Sequence, residues 1–270
     1  MKIEKIFFAL LTTVVVFVSC SKEEDLPLNP ETGTLVDCQG NSYTTVKIGS
    51  QWWMAENLRC TKYDTESERK PTGTATEVLV PVSQRPAGVN YGPFYVDVRD
   101  SITLYSGNLT PEQRSKLGLH YTWAAVVGLS SATNAQNQTT DFTAPRQGIC
   151  PNGWHVPTDE EWTVLIDYLG GHDKAGKKMK TATGWYKGKD YAAGSNSSGF
   201  SILPAGYDLG TKTTTDQVSS IYGIGFDANF WSASANAWYR GFTCNSDKIK
   251  RWPYAKFTYF SVRCVKNAEE

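Results

Sequence analysis

A chain of 270 residues with 27 basic and 27 acidic side chains has no formal net charge at neutral pH, so no overall field draws it to nucleic acid or to an anionic surface. Nine tryptophans, fourteen tyrosines and 23 glycines point to short strands and ordered turns, with large flat side chains doing much of the packing. The roughly 235 residues beyond the N-terminal segments suffice for one large domain or two small ones.

Lys2 and Lys5 precede an apolar run from Ile6 to Val18 that ends at Ser19-Cys20. The run has the length of a signal-peptide core and falls short of the roughly 20 apolar residues of a spanning helix. Residues 1–19 therefore read as a lipoprotein signal peptide, with Cys20 the lipidated residue after cleavage; an ordinary secretory signal followed by an incidental cysteine is the alternative. Residues 20–33, with Glu23, Glu24, Asp25, Pro27 and Pro30, read as a flexible acidic tether. Their acidic cluster resembles the surface-export signal of Bacteroidetes lipoproteins, which implies a protein held on the outer membrane by its N-terminal lipid and facing the cell exterior. A charge run that merely solvates the tether is the competing explanation. A single globular domain is expected over 34–267.

From Thr34 to Met54 the pattern predicts a small meander, turning at Gln39-Gly40-Asn41 and at Gly49-Ser50. Thr61 to Asn108 is polar and irregular and reads mostly as loop, with short strands near Val78–Val82 and Tyr95–Val98. Thr110 caps a short helix that starts at Pro111, runs to Leu117 and is closed by Gly118. The clearest helix follows Thr158, with Glu161 completing a capping box, Trp162, Leu165, Ile166 and Leu169 on one face, and Gly170-Gly171 as its stop. A second helical stretch is expected near Lys174–Lys180. Phe230–Ser232, Trp238–Cys244 and Phe257–Val265 read as strands, the last with Phe260, Val262 and Cys264 on its core face.

Six blocks then occur in order: Gln51-Trp52-Trp53-Met54-Ala55-Glu56-Asn57-Leu58, Tyr121-Thr122-Trp123-Ala124-Ala125, the run from Cys150-Pro151-Asn152-Gly153 to Trp154-His155-Val156-Pro157-Thr158, Gly199-Phe200-Ser201-Ile202-Leu203-Pro204-Ala205-Gly206, Phe230-Trp231-Ser232 and Ser261-Val262-Arg263-Cys264-Val265. Together they closely resemble the Fibrobacter succinogenes major paralogous domain over about Thr34 to Lys266. The resemblance implies an α+β, C-type-lectin-like fold related to that of formylglycine-generating enzymes, with short antiparallel sheets, two main helices and long ordered loops. It also implies a Cys150–Cys264 disulfide, in agreement with Cys264 on the inward face of the last strand. It does not carry over the enzymes' chemistry, which needs a late reactive cysteine pair: the late cysteines here are Cys244 and Cys264, and the resemblance assigns Cys264 to a structural bond. The calcium-holding Glu-Pro-Asn and Trp-Asn-Asp signatures of sugar-binding lectins are absent, and Asp227-Ala228-Asn229 is a poor substitute.

Six cysteines suit an oxidising compartment. With Cys20 lipidated, five remain and one must stay unpaired. Cys38 and Cys60 flank the meander, whose turns can bring them together, so they form the second expected disulfide and Cys244 is the expected free thiol. A fully reduced set of buried cysteines is the alternative. No Cys-x-x-Cys pair occurs, and of His120, His155 and His172 only His155, five residues after Cys150, stands near a cysteine in sequence, so neither a structural zinc nor another cofactor is expected.

No catalytic residue stands out. His155, just before a helix cap with no partner nucleophile, reads as structural, and Glu56 reads as a loop-fixing carboxylate. Aromatic residues cluster at Trp185-Tyr186, Trp238-Tyr239-Arg240 and Arg251-Trp252-Pro253-Tyr254. Trp238, Arg240, Trp252 and Tyr254 are the ligand-binding candidates, against the alternative that they belong to the core. The leading expectation is a non-catalytic binding module for glycan or peptide, perched beside outer-membrane proteins. The alternatives are a structural or adhesive component engaging another cell-surface protein, and an enzyme of unassigned chemistry.

Overall fold

The computed structural model describes residues 29–64, 79–84, 94–98, 108–129, 139, 141–142, 144–210 and 221–268. The expected signal peptide, Cys20 and the acidic cluster Glu23, Glu24 and Asp25 lie outside the described residues. Among those described, no helix is long and apolar enough to cross a membrane.

The meander forms as its alternation predicts. Strands β1 (Thr32–Val36), β2 (Ser42–Ile48) and β3 (Gln51–Met54) are antiparallel. Asp37 organises the first turn: its carboxylate accepts from the backbone N–H groups of Gln39 and Asn41, each at 2.9 Å, and from the Tyr43 hydroxyl at 2.7 Å. Gly49, at φ 59°, supplies the left-handed residue of the second turn. The tether is shorter than the sequence implied, because β1 already pairs Thr32 with Val46, and the Lys47 N–H donates to the Glu31 carbonyl. At the other end of the chain, β14 (Val265–Lys266) lies between β3 and β7 (Trp154–His155), giving the order β1-β2-β3-β14-β7. The first and last strands thus share a sheet.

Helix α1 (Pro111–Ser115) carries a capping box between Thr110 and Gln113 and ends two residues short of the expected Leu117. After β6 (Leu119–Thr122) comes α2 (Trp123–Val127), a helix the sequence did not announce; its five residues are all buried, so it shows no polar face. Helix α3 (Asp159–Tyr168) has the expected box: the Glu161 N–H donates to Thr158 Oγ1 at 3.1 Å, and the Thr158 N–H donates to Glu161 Oε2 at 2.8 Å. Its Trp162 packs on Trp53, Phe200 and Phe230 at ring separations of 4.8, 5.8 and 5.8 Å. Helix α4 spans Ala175–Met179.

Two further sheets complete an α+β fold that is mostly sheet. One is formed by β10 (Asp227–Trp231), β11 (Trp238–Thr243) and β12 (Ser246–Pro253). The other runs β4-β5-β6-β13-β8-β9, with β4 at Val80–Pro81, β5 at Phe94–Asp97, β13 at Tyr259–Phe260, β8 at Tyr207–Asp208 and β9 at Ile221–Tyr222. The strand expected as one run from Phe257 to Val265 is therefore two, β13 and β14, belonging to different sheets. Alternation misleads there because both sides are covered: Ser261 and Arg263 are as buried as Phe260, Val262 and Cys264. The Arg263 guanidinium donates to Asn57 Oδ1 at 2.8 Å and to the carbonyls of Met54, Phe200 and Ser201. Burial lowers its pKa to about 9. Cys264 is disulfide-bonded to Cys150.

Candidate binding surface

Pairing in the three-stranded sheet decides which side chains share a face. Asn229 stands opposite Gly241 and Gly241 opposite Lys250, while Trp231, Tyr239 and Trp252 form the next row. By the period of two, Phe230, Arg240, Phe242 and Arg251 point the other way.

That second face packs on α3, and it removes two of the four ligand-binding candidates. Arg240 is fully buried; it donates to Asp159 Oδ1 and, at 3.0 Å, to the Asp159 carbonyl. Arg251 donates to the other carboxylate oxygen of Asp159 at 2.8 and 2.6 Å, and its guanidinium lies 4.0 Å over the Trp238 ring. Arg240 is thus the inner member of an ion triad rather than a ligand contact, and half-buried Trp238 is already stacked. Trp185 is likewise core, and Tyr186 stacks on Phe226 at 4.4 Å.

The first face is open. Trp252 is 65% exposed and Tyr254 40%, so these two candidates are at the surface. Phe260 forms the floor, touching Tyr239, Tyr254, Tyr207 and Trp231 at ring separations of 5.0, 5.6, 6.2 and 4.4 Å. Tyr207 in turn meets Tyr222, 47% exposed, at 6.1 Å. Past Tyr254 the surface dips into a cavity of about 430 Å³ lined also by Leu209, Pro253 and Phe257. Tyr207, Tyr222, Asp227, Asn229 and Lys250 were not singled out by sequence; they arrive from β8, β9, β10 and β12 through pairings such as the Gly206–Ala228 bridge.

Asp227 stands at the edge of this aromatic surface. It is half-buried, and among the described residues its carboxylate accepts no hydrogen bond. Desolvation raises its pKa, with Lys250 as the opposing influence. Tyr207 and Tyr239 titrate above the ordinary tyrosine value, first through desolvation and then through neighbouring tyrosines and Asp227.

Other chemistry-bearing side chains are committed to structure. The ring nitrogens of buried His155 lie 2.7 Å from Asn267 Oδ1 and 2.7 Å from Glu161 Oε1, so it joins the C-terminal segment to the α3 cap. Glu56 accepts from the Thr44 N–H and hydroxyl at 3.1 and 2.9 Å. The bond expected between Cys38 and Cys60 is not formed: the sulfurs are 3.9 Å apart, and the Cys60 thiol donates instead to the Lys62 carbonyl at 3.0 Å and to Gln39 Oε1 at 3.1 Å. Cys244 is a buried thiol. Among the described residues, no group of three or more His, Cys, Asp or Glu side chains is arranged to hold a metal ion.

The chain matches the Fibrobacter succinogenes major domain over residues 46–266 and belongs to that family. No curated protein and no solved structure matches it.

Proposed function

We propose that this protein is a non-catalytic binding module, lipid-anchored through Cys20 to the outer membrane and facing the cell exterior, and that its ligand is a glycan held on the aromatic face of β10–β12. One observation carries the reading: Tyr207, Tyr222, Tyr239, Trp252 and Tyr254 gather on one face beside a carboxylate and hydroxyls that have no hydrogen-bond partner among the described residues. Flat rings stack on the C–H faces of sugars, and unpaired polar groups at the rim receive hydroxyls. A C-type-lectin-like fold belongs to the same proposal, supported by first and last strands in one sheet and by the Cys150–Cys264 bond.

Glycan and peptide arrays probed with the purified chain test the reading. Glycan binding that weakens in Trp252→Ala supports it. Peptide-only binding, or capture of another cell-surface protein through a different surface, favours the adhesive alternative.

A further inference from the structure

Four carboxylates that anchor turns and helix caps in this fold have donors to spare. Asp37 takes bonds from two backbone N–H groups, the Asn41 amide and the Tyr43 hydroxyl. Asp159 takes two arginines, Glu161 takes His155 and its own cap, and Glu56 takes Thr44 and Arg59. Asp227 differs from all of them. Its Oδ2 lies 2.5 Å from where a Cβ on Gly223 would stand, at a glycine with φ 69°, so the turn before β10 comes close without donating to it. A carboxylate drawn from water with no donor lowers stability. Asp227 is only half-buried, and among the described residues no donor offsets the solvation it gives up.

Lys250 is the complementary anomaly. It is exposed, lies on the same face and makes no ion pair within 4 Å among the described residues, although its charge acts on Asp227. Between their strands runs β11, where Gly241 has no side chain and the Tyr239 ring and Asn229 Oδ1 each come within 2.8 Å of the position its Cβ would take. Lys250 is two strands from β10, about 10 Å between backbones. The hydroxyls of Tyr207, Tyr222, Tyr239 and Tyr254 make no hydrogen bond within the described residues. Among the described residues, an acceptor, a donor and several hydroxyls without hydrogen-bond partners thus lie beside the exposed rings of Tyr222, Trp252 and Tyr254.

We infer that this face takes a neutral pyranose glycan, with one sugar hydroxyl donating to Asp227, another sugar oxygen accepting from Lys250, and the ring faces stacked on Tyr222 and Trp252. The inference rests on the binding reading proposed above and narrows its ligand. A sugar hydroxyl both donates and accepts, so a polyol satisfies both charged groups at once. A uronate or sulfate brings negative charge against Asp227, and an amino sugar brings an ammonium against Lys250, so one of the two groups opposes either charged class.

Calorimetric titration of the full chain with neutral gluco-, galacto- and manno-oligosaccharides, against oligouronates and oligoglucosamines of matched length, tests this. At least one neutral ligand should bind at least tenfold more tightly than its charged counterparts. Asp227→Asn should lose at least tenfold in affinity while Tm stays level or rises, the opposite of what loss of a structural carboxylate does. Lys250→Met should lose several-fold. Tighter binding of a charged oligosaccharide that still depends on Trp252 would overturn the ligand class and leave the surface standing. Binding that ignores Trp252→Ala, or no binding to any of these classes, would reject the surface itself. Unchanged affinity with a lowered Tm in Asp227→Asn would return Asp227 to a structural role.

Discussion

Arg240 of β11 and Asp159 of α3 meet in the interior, 81 residues apart in sequence, with Arg251 on the second oxygen of the same carboxylate. Removing one partner of a buried pair leaves the other charge uncompensated, at a cost of about 3–5 kcal/mol. Asp159→Ala and Arg240→Ala should therefore each lower stability by that order in denaturant titrations. Asp159→Ala should leave ligand affinity intact wherever the protein remains folded. A weaker ligand complex in an Arg240 variant of undiminished stability would restore Arg240 to the binding surface.

His120 lies in β6 with neither ring nitrogen hydrogen-bonded among the described residues, and burial lowers its pKa to about 3. The unfolded chain protonates this residue near pH 6.5, whereas the folded form resists, so the unfolded state binds the extra proton and stability falls as pH drops. The loss begins near pH 6.5, grows by up to about 1.4 kcal/mol per pH unit and levels off below about pH 3. Denaturant titrations at pH 7, 5.5 and 4.5 should show wild type losing more than His120→Leu over that range. Parallel losses in the two proteins would show that other groups carry the acid sensitivity.

The Cys150–Cys264 disulfide closes a separation of 114 residues. In the chain-entropy account a loop of that length contributes about 4–5 kcal/mol. Cys150→Ser with Cys264→Ser should lower stability by an amount of that order, and non-reducing peptide mapping should recover the bonded pair. Oxidised glutathione should also close Cys38 to Cys60, with loss of two hydrogens from the protein and release of two glutathione thiols, because only 3.9 Å separates the sulfurs. Cysteines that still react fully with alkylating agent after that treatment would show that the Cys60 thiol is held by Lys62 and Gln39.

Lipidation and display are tested in cells. Cys20→Ala should release the protein from the membrane fraction or leave its signal uncleaved. Protease added to intact cells should remove the domain, and replacing Glu23, Glu24 and Asp25 with alanine should protect it. Equal protection of both forms would place the domain on the periplasmic side.

Local signals were legible in the sequence and long-range ones were not. The N-cap at Thr110 with its following proline and the box at Thr158 are written within four residues, and both helices start where those residues put them. The turns after Asp37 and Ile48 were legible for the same reason. Helix α2 was hidden because every residue in it is buried, and the final strand was misread because both of its sides are covered. At the surface, Trp252 and Tyr254 could be picked out because they sit near each other at the end of β12. Arg240 could not be told from them without its distant partner Asp159. Tyr207, Tyr222 and Asp227 come from three strands and become neighbours only through tertiary pairing.

The first strand gives the molecule a mechanical weak point away from the proposed ligand surface. Under the proposed anchoring through Cys20, drag on the domain would reach the described fold at β1, an edge strand paired in its sheet with β2 alone over five positions. The Cys150–Cys264 crosslink and the aromatic face lie further along the chain, in or beside other strands. Under load β1 should peel first, lengthening the tether by a few residues while the binding face keeps its shape.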